Sequence, residues 1–111
     1  MFDDDDEEFA DVGSVQQVPN RAVRFVEVDG REVMLFRADH AVVALGGNCT
    51  HAFASLRDGA IDGTVITCRR HGARFDLTNG RSLSGMCPDL PRFEVKIAGA
   101  RVLVRRDRDE P

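Results

Sequence analysis

Two cysteines and two histidines stand at short, paired intervals that suit a metal centre. One residue separates Cys49 from His51, two separate Cys68 from His71, and sixteen lie between the two pairs. The chain has only three cysteines and three histidines, so most of its thiol and imidazole groups fall in this pattern. Thiolate and imidazole are ligands of zinc and of iron–sulfur clusters. The spacing therefore predicts a metal site shared by two loops.

The mixed ligand set has a specific chemical consequence. Two thiolates and two imidazoles on paired loops can hold a two-iron cluster with each iron bound to one ligand type. Neutral imidazoles leave such a cluster less negative, so adding an electron costs less. The reduction potential rises to about −150 to +300 mV, against about −400 mV for a cluster with four cysteines. These ligand types suit one-electron transfer.

The residues that follow the second pair resemble a known family. The run His71-Gly72-Ala73-Arg74-Phe75-Asp76 is similar to the HGxxFD run of Rieske ferredoxins. Residues 85–91, with Pro88 and Pro91, stand where that family has a proline-containing loop over its cluster. The strand pattern on either side also fits, so the resemblance to Rieske iron–sulfur proteins covers residues 11–106.

The resemblance implies a ligand set for one Rieske-type 2Fe-2S cluster. Cys49 and Cys68 would bind one iron, and His51 and His71 would bind the other through Nδ1. The family's histidine edges face solvent, which gives electrons a short exit route.

The resemblance also implies a function and partners. We expect a soluble one-electron carrier that passes electrons from a flavin-dependent ferredoxin reductase to a terminal aromatic-ring dioxygenase or monooxygenase. The carrier would belong to aromatic hydrocarbon catabolism and would not itself be an enzyme. The oxygenase subunits that begin with such a domain need a second, iron-containing domain, for which 111 residues leave no room.

The chain departs from the high-potential members of the family at four positions. Ala54 and Arg70 stand where those proteins carry a bridging disulfide, and Ala73 and Phe75 stand where they carry serine and tyrosine. Hydroxyl hydrogen bonds to sulfur stabilise the reduced, more negative cluster. Their absence predicts a potential in the lower half of the Rieske range, although the positive charge of Arg69 and Arg70 acts in the opposite direction.

Three other interpretations use the same residues. The four ligands could hold a structural zinc ion in a protein-binding module, although zinc sites usually pair two cysteines and then two histidines. Cys68 and His71 could form a catalytic dyad, but no third residue stands out to orient it. The fold would also suit the small subunit of an assimilatory nitrite reductase, although many such subunits lack the cluster ligands and this chain keeps all four.

Composition and charge limit the class of protein. The mix of 42% hydrophobic and 31% charged residues is that of an ordinary globular domain, and the length fits one. The acidic start at residues 1–8 is unlike a signal peptide, and no apolar run is long enough to cross a bilayer. We therefore expect a cytoplasmic protein that binds no membrane and, lacking a basic stripe, no nucleic acid.

The elements that position the ligands are predicted to be short strands, which favours an all-β sandwich or barrel with an inserted cluster-binding subdomain. Turn pairs Asp29-Gly30 and Asn79-Gly80 separate apolar runs, and a single helical turn is expected within residues 53–58. Phe25, Phe36, Phe75 and Phe93 are predicted core residues. The predicted strands are 22–28, 32–37, 41–45, 65–68, 74–77, 93–97 and 101–105.

Charge is distributed unevenly along the predicted domain. Residues 3–8 carry six carboxylates, and without them the rest of the chain would have a net charge of +2 instead of −4. We expect an acidic tail over residues 1–10, a Rieske domain over 11–106 with cluster-binding loops at about 46–76, and a C-terminal tail over 107–111. A basic rim that docks on acidic partners is predicted from Arg57, Arg69, Arg70 and Arg74.

The third cysteine matches no ligand position of the family. Cys87 is expected to be a free thiol in the covering loop.

Overall fold

The computed structural model describes residues 9–20, 22–38, 41–50, 55–70, 72–84 and 87–106. Within these residues the chain forms nine strands and two short 3₁₀ turns, at Val15–Gln17 and Leu56–Asp58. The strands are β1 (Ala10–Ser14), β2 (Val23–Val28), β3 (Arg31–Ala38), β4 (Ala41–Gly46), β5 (Ala60–Asp62), β6 (Val65–Thr67), β7 (Arg74–Asp76), β8 (Arg92–Ala98) and β9 (Arg101–Arg106). Among the described residues, neither helical turn has the length and apolar character needed to cross a bilayer.

The strands form two antiparallel sheets, which confirms the all-β prediction. The base sheet has six strands in the order β1-β9-β8-β4-β3-β2, and β1 also contacts β2, so the sheet curls into a nearly closed barrel. The smaller sheet has the order β5-β6-β7 and belongs to residues 47–91, which we call the insert because they lie between β4 and β8 of the base sheet.

Seven of the nine strands match predicted strands within one residue at each end. The Asp29-Gly30 turn is also confirmed, since both residues have positive φ, as a tight hairpin turn requires. Strands β1 and β5 were not predicted. In β1 the register shifts between Asp11 and Ser14 around Gly13, and β5 is a three-residue exposed edge strand, so neither shows the alternating apolar pattern. The predicted turn at residues 39–40 lies outside the described residues.

Strand β3 is buried on both faces because it lies between two hydrophobic cores. All side chains from Val33 to Phe36 are fully buried. Since side chains alternate along a strand, Met34 and Phe36 face one core and Val33 and Leu35 face the other. The first, the insert core, lies between the base sheet and the insert, and the second, the barrel core, fills the barrel. The predicted core positions Phe36, Phe75 and Phe93 are buried, and Phe25 is half-buried.

The two ends of the insert are held side by side on the base sheet. The Gly46 N–H donates to the Pro91 carbonyl oxygen at 2.8 Å, and the Gly47 N–H donates to the Glu32 carbonyl oxygen at 2.9 Å. A Cβ on Gly46 would lie 2.9 Å from the Pro91 ring, so this close approach needs glycine. The insert therefore leaves and rejoins the barrel at one place, beside β3.

Candidate metal centre

The first cysteine lies at the start of a closed loop. Cys49 follows β4 and is fully buried. A bridge between Asn48 and Ser55 ties the ends of this loop together, and the Leu56 N–H donates to the Gly47 carbonyl oxygen at 2.8 Å. His51, the other predicted ligand of this loop, lies outside the described residues.

The second cysteine begins the tight hairpin that joins β6 to β7. The Cys68 N–H donates to the Ala73 carbonyl oxygen at 2.8 Å, and the Gly72 N–H donates to the Cys68 carbonyl oxygen at 2.8 Å. Gly72 has a φ of +70°, a left-handed conformation that glycine adopts without strain. Gly72, which belongs to the sequence run quoted above, therefore allows the tight turn of this hairpin. The predicted ligand His71 lies outside the described residues.

Both cysteines belong to the insert core. Cys49 and Cys68 are exposed by only 0% and 2%, and they share this core with Phe75 and Leu77. Two buried thiols from two separate loops fit the sulfur side of a two-iron cluster, and an apolar surrounding excludes water from it. Within the described part of the chain no group of three or more His, Cys, Asp or Glu side chains converges.

The loop before β8 touches the first cysteine loop. The Thr50 hydroxyl, next to Cys49, donates to the Pro88 carbonyl oxygen at 2.6 Å. Cys87 is a half-buried thiol that packs against the insert core, with its Sγ 3.7 Å from the Ser82 hydroxyl. Cys87 forms no disulfide in the structure, and residues 85–86 of the same loop lie outside the described residues.

The two positions where high-potential members of the family carry hydroxyl groups lie in the insert core. Ala73 and Phe75 are both fully buried beside the cysteines. Neither side chain carries a hydrogen-bond donor, so neither can donate to a sulfur atom near Cys49 or Cys68.

A clamp that the sequence did not reveal ties the first cysteine loop to β3. The Glu32 carboxylate accepts a hydrogen bond from the Ser55 hydroxyl at 2.6 Å and another from the Arg57 Nε at 2.6 Å. The Arg57 guanidinium also lies over the Phe25 ring, 4.8 Å from its centroid. Because Glu32 is more than twenty positions from both donors, no local pattern could have indicated this contact.

The clamp sets the ionisation of Glu32. Burial alone would raise the pKa of this carboxyl, but the hydrogen bonds from Ser55 and Arg57 outweigh it and hold the pKa below its usual 4.5. A carboxyl whose pKa is lower in the folded state stabilises the fold above its ordinary pKa. This contribution is lost as the pH falls through the lowered value.

Replacing Glu32 by glutamine is expected to destabilise the protein by about 1–2 kcal/mol at neutral pH, since it removes the charge from a partly exposed clamp. Urea unfolding at several pH values measures this difference, which should shrink as the pH falls below 4.5. Asp62→Asn on the exposed edge strand β5 serves as the control. A wild-type advantage that persists unchanged in acid would contradict the clamp.

The predicted basic rim is confirmed only in part. Arg57, Arg69 and Arg70 line one hollow of about 480 Å³ beside Cys68. Arg74 lies exposed on β7 and does not line this hollow. Arg57 is paired with Glu32, so the unbalanced positive charge of the hollow comes from the hairpin tip.

Comparison with protein families gives a match to the Rieske [2Fe-2S] domain over residues 8–94, a range that includes both cysteine loops. The ferredoxin component of the naphthalene 1,2-dioxygenase system of Pseudomonas aeruginosa is 32% identical over 99 residues. The aligned region covers 88% of this chain and 95% of that protein.

Solved structures show the same similarity. The ferredoxin of carbazole 1,9a-dioxygenase from Nocardioides aromaticivorans IC177 has a TM-score of 0.79 at 27% identity, covering 89% of this chain and 98% of that one. A chain from the complex of reduced oxygenase and oxidized ferredoxin in carbazole 1,9a-dioxygenase has a TM-score of 0.78 at 29% identity, covering 90% and 96%. In both cases the similarity spans nearly the whole of the compared chain.

Proposed function

Since this chain belongs to the Rieske [2Fe-2S] domain family, we propose that it carries single electrons from a flavin-dependent ferredoxin reductase to a terminal aromatic-ring dioxygenase or monooxygenase. It is a ferredoxin with a Rieske-type 2Fe-2S cluster, an electron-transfer component rather than a catalytic enzyme. Its place would be in the cytoplasm, in the catabolism of aromatic hydrocarbons.

The ligand set in this proposal is Cys49 and Cys68 for one iron, and His51 and His71 for the other. The observation that carries it is the convergence of two buried cysteines, on two closed loops, in one core. His51 and His71 follow these cysteines by two and three positions, so short loops would bring their side chains to the same place. When bound, the cluster supplies a one-electron couple of moderate potential.

The described residues around the cysteines have a supporting role. Phe75, Leu77 and Leu56 surround the sulfur side with apolar groups, which excludes water from it. The Thr50 hydroxyl and the Glu32 clamp hold the first loop against the covering loop and β3. Such support would hold the ligands in nearly the same geometry before and after electron transfer, which favours fast transfer.

We also propose a division of the chain that follows from the ligand positions. Residues 11–106 form the Rieske domain, with its cluster-binding loops at about 46–76. Residues 1–10 and 107–111 are tails. The proposed domain contains the proposed ligands and both sheets apart from Ala10, the first residue of β1, and the acidic block of residues 3–8 falls outside it.

Metal analysis and spectroscopy of anaerobically purified protein test this function. We expect two irons and two sulfides per chain, as the [2Fe-2S] domain implies. The reduced protein should show the low average g value of a Rieske centre in its low-temperature EPR spectrum. A colourless protein that holds zinc would overturn the proposal in favour of a structural module. Co-purification with a sirohaem-containing protein would favour a nitrite reductase subunit.

The reduction potential is expected in the lower half of the Rieske range, which spans about −150 to +300 mV. Ala73 and Phe75 cannot donate hydrogen bonds to sulfur, so the reduced state lacks that stabilisation. Phe75→Tyr should raise the potential, and Phe93→Tyr in the barrel core should leave it unchanged. Protein-film voltammetry measures all three proteins, and a wild-type value near the upper limit would refute the prediction.

A further inference from the structure

The hollow beside Cys68 is a depression whose described lining carries an excess of positive charge. It lies between the tip of the β6–β7 hairpin and the 3₁₀ turn Leu56–Asp58. Three arginines line it, Arg57, Arg69 and Arg70, against one carboxylate, Asp58. The whole chain has a net charge of −4, so this local excess of positive charge runs against the overall balance.

Only two of these arginines have charge available for a partner. Arg57 is paired with Glu32 at 2.6 Å. Arg69 and Arg70 are exposed, and no carboxylate of the described residues forms an ion pair with them. The Arg69 Nε donates to the Asp58 carbonyl oxygen, which holds the guanidinium at the hollow while its terminal nitrogens remain able to bind.

We propose that Arg69 and Arg70 form the docking surface for the protein that accepts the electron, and that they bind carboxylates on its surface. This inference rests on the proposed function and names the chemistry of the partner. Guanidinium groups bind carboxylates with two parallel hydrogen bonds, and opposite charges accelerate encounter. Cys68 lines the same hollow, so a partner seated there lies directly beside a proposed ligand.

The transfer at this surface is a simple exchange. The reduced ferredoxin gives up one electron and the acceptor takes up that electron, with no bond formed or broken and no proton moved. The role of the two arginines is to raise the local concentration of acidic acceptors and to orient them at the hairpin tip.

Small redox probes of opposite charge test the electrostatic potential at this docking surface. Reduced holoprotein is mixed in a stopped-flow instrument with ferricyanide, an anion, or hexaammineruthenium(III), a cation, each of which takes one electron. For Arg69→Glu/Arg70→Glu we expect the ferricyanide rate to fall roughly tenfold at low salt and the hexaammineruthenium rate to rise, with both effects shrinking as salt is added. A change in reduction potential would instead move both rates in the same direction.

Two matched variants separate charge from structure. Arg69→Lys/Arg70→Lys keeps the charge and should keep both rates. Arg81→Glu changes an exposed arginine at the far end of β7, where the Arg81 carbonyl oxygen accepts from the Asp76 N–H, and should change both rates by less than about twofold. Arg81→Glu changes the net charge by half as much as the double glutamate variant, so a change in log rate that is half as large or more would overturn the docking surface.

Direct binding of carboxylates provides a second measurement. Fluorescein-labelled hexaglutamate should bind the wild-type holoprotein at low salt, as followed by fluorescence anisotropy. The double glutamate variant should lose this binding, and the double lysine and Arg81→Glu variants should retain it. If the wild-type protein lacks the Rieske spectrum, the proposed function fails. If the spectrum is intact but neither the probe rates nor peptide binding depends on Arg69 and Arg70, only the docking surface fails.

Discussion

Replacement of Cys68 by serine is expected to leave the purified protein without iron, sulfide or visible colour. Cys68 is 2% exposed at the base of the β6–β7 hairpin, where its sulfur faces the insert core. A serine hydroxyl is a hard ligand that is neutral at neutral pH, so it binds iron in an iron–sulfur cluster much more weakly than a thiolate does. Iron and sulfide analysis of protein purified without oxygen, together with the visible absorbance, measures the result. Cys49→Ser should behave in the same way.

The third cysteine provides the matched control for this experiment. Cys87 is half-buried at the edge of the same core, yet it lies in the loop before β8 and is not a proposed ligand. Cys87→Ser should therefore keep its full iron and sulfide content. Cluster retention in Cys68→Ser, or equal cluster loss in Cys87→Ser, would contradict the ligand assignment.

Truncation of Phe75 is expected to destabilise the insert more than any other apolar change near the site. Phe75 is fully buried on β7 and belongs to the core that contains both cysteines. Phe75→Ala should cost about 3–5 kcal/mol through lost burial and the cavity it leaves. That loss is a large fraction of the stability of a small domain, which is about 5–15 kcal/mol. Urea titration followed by visible absorbance and by far-ultraviolet circular dichroism measures it.

Phe93→Ala tests whether the effect of Phe75 is specific to the insert. Phe93 is 7% exposed and packs in the barrel core, on the other side of β3. We expect Phe93→Ala to unfold at a lower urea concentration than the wild type, with visible absorbance and circular dichroism changing together. In Phe75→Ala the visible signal should disappear before the circular dichroism signal changes. Coincident transitions in both variants would show that the two cores unfold as one.

The chemistry of the site was predictable because its determinants are local in the sequence. The proposed ligands lie two and three positions apart within two loops, so residue type and spacing alone indicate what they could bind. Gly72 was part of the same run, and its positive φ shows why glycine is required there. The seven predicted strands were recognisable for a similar reason, since alternation and turn pairs act over a few residues.

Strands β1 and β5 were not predictable in this way. β1 pairs with β9, which is distant in the sequence. β5 joins β6 through a local turn at Gly63, but it is an exposed edge strand without the alternating apolar pattern. The predicted strand 32–37 contains the uninterrupted apolar run from Val33 to Phe36. It did not indicate that the two faces of β3 belong to different cores, because that division needs the insert in place.

Local spacing in the chain was therefore sufficient to predict a metal site and most of the strands, and the family resemblance of the run that follows Cys68 added the cofactor. The folded structure alone determined how the site is supported and which charges it presents. Glu32 meets Ser55 and Arg57 across more than twenty residues, and this contact balances one arginine of the predicted rim. Contacts between distant segments form only when the sheets pack, so the charge available at the hollow follows from tertiary structure and not from composition.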